Sequence, residues 1–251
     1  MAASHMHCKP LLAWLVAVCA LAGAAEAMSE APAPSPVDPH PPVFGVDVSE
    51  AQGPLNLSVW EAAHAAGSEF AIVKATDGLN ATNVNPYFSS HFTHTRQAGL
   101  LRGAYHVARP HVSDGAMQAA FFLQNGGALN SSDELSLAGT LWLETNPSWG
   151  TLCSLEDSCY GHNQHSMGMW IADFLHAYNS TTGSMPFIHT SADWYNSCVG
   201  QHGDFSKTAF LWISCIGCPS ITTYPYNWTS WVVWQYALAG PLPGNQNVHD
   251  E

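Results

Sequence analysis

Residues 70–76 read FAIVKAT and run into Asp77-Gly78. A stretch this short, nearly continuous in apolar and β-branched residues and closed by a turn pair, reads as a strand buried on both faces. Similar runs are FGVDV (44–48), LRGAYHV (101–107), TLWLE (140–144), PFIHT (186–190), AFLWISC (209–215) and WVVWQY (231–236). Helical spacing fills the gaps at 58–66, 87–98, 114–124 and 167–178, and Gly67, Gly99 and Gly126 stand where a left-handed turn ends a helix. Beyond Phe205 the helical spacing disappears while the strand-like runs continue. The expected fold is α/β: an irregular TIM-like β/α barrel of eight strands whose last third is mostly β.

The flanks of that pattern have a different character. Lys9 precedes an apolar run at 10–25, PLLAWLVAVCALAGAA, and small residues at Ala25 and Ala27 bracket Glu26. A positive flank, a short apolar core and a small-residue cleavage site predict a secretory signal peptide over 1–27; the run is shorter than the ~20 residues that cross a bilayer. Residues 28–42, MSEAPAPSPVDPHPP, are a Pro-rich linker. A single barrel domain is expected over 43–251, secreted, extracellular and monomeric, with no membrane contact after cleavage. The sequons at Asn56, Asn80, Asn130, Asn179 and Asn227 fit that route.

Charge narrows the function classes. Six Lys+Arg face nineteen Asp+Glu, a formal net charge of −13. The scattered cations Lys74, Arg96, Arg102, Arg109 and Lys207 cannot neutralise a run of phosphates, which excludes a nucleic-acid partner. Past Cys19 the cysteines are Cys153, Cys159, Cys198, Cys215 and Cys218, an odd set implying one or two disulfides and at least one unpaired thiol. Zinc at Cys215 and Cys218 would need a second close pair of ligands that the other cysteines do not supply, so no metal and no cofactor are expected.

In a β/α barrel the working residues stand at the C-terminal strand ends. Those ends carry Asp47 and Ser49, Asp77, Tyr105 and His106, Glu144 and Asn146, His189 and Ser191, and Gln235 and Tyr236. Carboxylates, hydroxyls and imidazoles with no basic partner among them suit acid/base work on a neutral polyhydroxylated substrate. Trp142, Trp194, Trp212, Trp231 and Trp234 add flat faces for sugar rings. Taken singly, each has a plainer reading as a hydrogen-bonded strand end, a turn or core; the functional reading rests on their joint placement.

The motifs GVDVS (45–49), FAIVKATDG (70–78), AGLLRGAYH (98–106) and WQY (234–236) resemble those of glycoside hydrolase family 25 lysozymes, over roughly residues 43–238. The resemblance implies a barrel that cleaves the β-1,4 bond between N-acetylmuramic acid and N-acetylglucosamine, with peptidoglycan or a related amino-sugar polymer as partner. It implies Glu144 as general acid, Asp47 as its electrostatic partner, and a groove lined by Asp77, Tyr105, His106, Trp142, His189, Trp212 and Gln235. Segments around Cys159 and Cys198 resemble those carrying a disulfide in secreted fungal members, which implies a Cys159–Cys198 bridge. A bridge between Cys215 and Cys218 is a further option.

This chain departs from the family pattern. Trp142 stands where the first acid of Asp-x-Glu is usual, His189 and Ile216 replace tyrosines, and Asp77 replaces a common glutamate. The final aspartate has only Asp250 as a nearby candidate. Two functions therefore follow: a muramidase built on Glu144 and Asp47, or a catalytically impaired descendant that binds cell-wall glycan, with Trp142 as a stacking surface. An enzyme of net charge −13 is repelled by an anionic wall at neutral pH, so wall lysis is expected to be faster at acid pH. A lysis rate rising steadily through neutrality would reject this.

Overall fold

The structure, a computed structural model, describes residues 42–128, 132–144 and 158–249. The expected signal peptide and nearly all of the linker lie outside these residues, as do Asn130, Asn146, Cys153 and Asp250. The elements follow in the order β1 (Val43–Val48), α1 (Leu57–Ala65), β2 (Ser68–Asp77), α2 (Phe88–Gln97), β3 (Leu101–Val107), α3 (Gly115–Phe122) and β4 (Thr140–Trp142). Then come α4 (Gln164–Thr182), β5 (Phe187–Thr190), α5 (Ala192–Cys198), β6 (Phe210–Ser214), β7 (Val233–Ala237) and β8 (Asn245–His249).

The eight strands close a barrel in chain order. The pairs from β1–β2 to β6–β7 are parallel, whereas β8 is antiparallel to both β7 and β1. This α/β barrel is the fold expected from the sequence. Side-chain oxygens occupy orphan amides at the helix starts: Asn56 accepts from Val59, Asp114 from Met117, Asn163 from Ser166 and Ser191 from Trp194. After β6, no helix separates the last strands among the described residues.

Two elements were not anticipated. The short α5 carries no long apolar period, and its start is fixed by the Ser191 cap. Strand β8 reads NQNVH, which lacks an apolar alternation because its inward positions are amides with a polar partner inside the barrel.

Strand periodicity sorts the core into three parts. Leu141, Ile188, Leu211 and Ile213 face outward onto Phe122, Ile171, Phe174 and Tyr178 of α3 and α4. Val46, Val48, Ala71 and Val73 pack with Trp60 beneath α1 and α2. The lumen holds Phe70, Ile72, Tyr105, Trp142, Trp212 and Val233. Gly45 has no side chain because the Phe70 ring lies directly against its backbone. Cys159 is bonded to Cys198, and Cys215 to Cys218, so the latter pair is not a zinc site. No helix among the described residues is long and apolar enough to cross a membrane.

His106 belongs to the outer core. It is fully buried, stacked on Phe174 and tilted against Phe122, with Nδ1 2.7 Å from Thr76 Oγ1 and Nε2 2.9 Å from Gln118 Oε1. The Gln118 oxygen can only accept, so Nε2 carries the proton and Nδ1 accepts from the threonine hydroxyl. Burial pushes its pKa down to about 4. The unfolded chain therefore binds a proton near pH 6.5 that the folded chain refuses until about pH 4, and this group's share of stability falls as pH falls through that window. The stability penalty of His106→Gln, measured by urea unfolding at pH 7, should shrink by about 3 kcal/mol at pH 4. A pH-independent penalty would overturn the neutral assignment.

Candidate active site

Asp47 is the inward acid of β1 and is 1% exposed. Its register partners are Ile72 on β2 and Asn245 on β8. Residues i and i+2 of a strand share a face, so Asn245 and Asn247 both point inward from β8 and both reach the carboxylate. Asn245 Nδ2 donates to Oδ1 at 2.9 Å, Asn247 Nδ2 to Oδ2 at 2.9 Å, and Gln235 Nε2 of β7 to Oδ2 at 2.8 Å. Burial drives the Asp47 pKa up to about 6 against the pull of these three donors, and the neighbouring Glu144 charge adds to the rise.

The donors are themselves oriented. Gln235 Oε1 accepts from Ser214 Oγ at 3.0 Å and lies 3.4 Å from His189 Nε2. Asn247 Oδ1 accepts from Trp212 Nε1 at 2.9 Å. His189 is 2% exposed, and burial pulls its pKa down to about 3, so the ring is neutral.

Trp142 fills the middle of the lumen. Its ring stacks on His189 with centroids 3.4 Å apart and 17° between planes, tilts against Tyr105 at 4.8 Å, and meets Trp212 edge-on at 5.3 Å. Positions i and i+2 share a strand face, so Glu144 continues the Trp142 side of β4 towards the mouth. The Leu143 N–H still pairs with the His189 carbonyl at 2.8 Å. Glu144 is half-buried, and desolvation raises its pKa above the ordinary carboxylate range. The Trp142 indole N–H favours the charged form of Glu144, although it makes no well-formed hydrogen bond.

At the rim, Asp77 is held in a fork by Arg109, Nε to Oδ1 at 2.7 Å and Nη2 to Oδ2 at 2.8 Å. Lys74 lies 3.3 Å from Asp77 and 2.9 Å from Glu50. A cavity of about 180 Å³ opens between Lys74, Asp77 and residues 82–86. Asp77 is thus an ion-paired rim residue.

The lumen and its mouth bring together Asp47, Tyr105, Trp142, Glu144, His189, Trp212 and Gln235, with Asp77 on the rim. His106, expected in the groove, faces the helices instead, because it neighbours Tyr105 and adjacent strand residues point to opposite faces. Trp194 and Trp234 also pack outside the lumen, and Ile216 is exposed beyond β6. Sequence reading missed Asn245, Asn247, Arg109 and Tyr160. Seven apolar runs cannot close an eight-stranded barrel, so the alternating amides of NQNVH carried a usable signal for the last strand. Among the described residues no cluster of His, Cys, Asp and Glu could hold a metal.

The family model for glycosyl hydrolases family 25 matches residues 46–245. The chain is 38% identical to Lysozyme M1 of Streptomyces globisporus over 202 residues, 80% of this chain and 64% of that protein, so it spans less than two thirds of that relative. It is 34% identical to the N,O-diacetylmuramidase of a Chalaropsis species over 208 residues, covering 82% of this chain and 92% of the other. Among solved structures, a family GH25 lysozyme from Aspergillus fumigatus superposes with a TM-score of 0.76 at 36% identity, covering 84% of this chain and 95% of that one.

Removing one of the three donors should weaken the charged form of Asp47. In Gln235→Met the Asp47 carboxyl should titrate about one unit above the wild-type value of about 6, as read by carboxyl ¹³C NMR. An unchanged titration would show that the Gln235 amide does not support the charge.

Proposed function

The chain belongs to glycosyl hydrolase family 25, and from that premise we propose that it is a secreted muramidase hydrolysing the β-1,4 bond between N-acetylmuramic acid and N-acetylglucosamine in peptidoglycan. One observation carries the reading: Glu144 stands at the C-terminal end of β4 with its pKa raised by burial, and its charge is coupled to that of Asp47. A carboxyl that keeps its proton above the usual range is what a leaving glycosidic oxygen requires.

In this mechanism Glu144 donates its proton to the bridging oxygen as the bond to the anomeric carbon breaks. Positive charge then develops on the sugar, and Asp47, steadied by its amides, offsets it. Position 142 offers no carboxylate, so the substrate's own 2-acetamido oxygen closes on the anomeric carbon. Water then opens that ring, with the Glu144 carboxylate taking the water proton. The scheme needs Glu144 protonated and Asp47 charged: burial favours the first, and the three amide donors on Asp47 favour the second.

A second reading has its own observation. The Trp142–His189 stack occupies the lumen beside Glu144 with neutral rings, an arrangement that suits binding a glycan without cleaving it.

Turbidity of a bacterial wall suspension separates the two. Wild type should clear the suspension and Glu144→Gln should not. Trp142→Asp, which returns a second acid to the strand, should raise the lysis rate by about 100-fold. Equal lysis by wild type and Glu144→Gln would reject Glu144 as the acid. No lysis by any variant, with wall binding retained, would favour the binder.

A further inference from the structure

Glu144 lies beyond the last paired position of β4, and a side chain from a distant segment holds its main chain. Tyr160 Oη is 2.7 Å from the Glu144 carbonyl oxygen and 3.0 Å from Arg109 Nη1. Arg109 can only donate and a carbonyl can only accept, so the phenol proton is directed at Glu144. Arg109 in turn is fixed by its fork on Asp77.

The backbone around Tyr160 is built for this placement. Tyr160 has φ 59°, in the left-handed region where a side chain is sterically penalised, and Gly161 follows at φ 76°. Cys159, directly before it, is bonded to Cys198 at the end of α5, and Trp194 Nε1 of α5 donates to the Ser158 carbonyl at 3.1 Å. The ring also stacks on His111, centroids 5.2 Å apart. A tyrosine held in a disfavoured conformation by a covalent bridge, with both hydroxyl roles assigned, is more than surface filling.

We infer that Tyr160 is a positioning residue: anchored through Cys159–Cys198 and oriented by Arg109, it holds the main chain of Glu144, and with it the carboxyl, at the barrel mouth. The catalytic part of this inference rests on the proposed role of Glu144. Burial pushes the Tyr160 pKa up to about 12, so the hydroxyl remains a donor across any working pH. Among the described residues, the charged and titratable groups around Glu144 are Asp47 from β1, Lys74 and Asp77 from β2, Tyr105 from β3, Arg109 beyond it, and Tyr160 itself.

Tyr160→Phe keeps the ring and removes the hydroxyl, and with it both the tether to Glu144 and the contact from Arg109. The Glu144 carboxyl, followed by ¹³C NMR in glutamate-labelled full-length protein and assigned with Glu144→Gln, should then gain solvent and titrate about half a unit closer to its ordinary value. In wall lysis kcat should fall about tenfold with KM unchanged. A superimposable Glu144 titration would overturn the inference, even alongside a lowered Tm, because a purely structural tyrosine would leave that carboxyl where it was. Retained lysis by Glu144→Gln would instead sink the proposed acid, and the titration would still decide whether Tyr160 positions it.

Discussion

The buried carboxylate of Asp47 organises one end of this barrel. A charge taken out of water costs several kcal/mol unless its lone pairs are used, and here three amide N–H groups use them. The closing strand β8, paired directly with β1, is what makes that possible. Residues 245 and 247 lie on one strand face and reach the acid together, while Gln235 reaches it from β7, the next strand beyond β8. Two of the three amide oxygens, those of Gln235 and Asn247, accept from Ser214 and Trp212, so these donors form a directed array that ends on Asp47. Polar side chains this deep would weaken a core if any were left unpaired; satisfied, they fix the register of the closing strand.

The opposite side of the lumen follows another logic. Trp142, His189, Tyr105 and Trp212 interlock as rings at stacking and edge-on distances. Filling a lumen with aromatic side chains stabilises the barrel through dispersion and burial, and a neutral His189 adds no charge to be compensated. The same filling leaves position 142, two residues before Glu144, without a carboxylate. Position 142 thus serves packing, with an indole stacked on His189.

The sequence was legible where burial dictates periodicity. FAIVKAT and LRGAYHV sit between helices and carry the apolar content of doubly covered strands, and each lies wholly within a strand of the barrel. Asp47 stood out as an acid inside an apolar run. What escaped was set by polar contacts between distant segments. NQNVH looks like coil until Asp47 is placed opposite it, and neither Arg109 nor Tyr160 belongs to a periodic element. His106 was misassigned for a related reason: the alternation that points Tyr105 inward turns its neighbour outward, and only the position of α3 and α4 shows that aromatic rings await it there.

The charge of the chain and the charge of the site are nearly separate. Two of its six Lys+Arg stand at the mouth, where Lys74 and Arg109 pair with Glu50 and Asp77. That network is close to neutral, and among the described residues Asp47 and Glu144 form no salt bridge, although Arg109 and Lys74 act on Glu144 from the rim. The excess negative charge elsewhere would act on the proposed anionic polymer over distances comparable to the Debye length, about 8 Å at physiological ionic strength, and is weakened by salt. The Glu144 charge, a lesser cause of the raised Asp47 pKa, acts on a fully buried group and is screened much less. A pH dependence that added salt abolishes belongs to the outer surface, and one that survives salt belongs to the two carboxyls. Ionic strength therefore separates repulsion of the wall from the protonation state of the site.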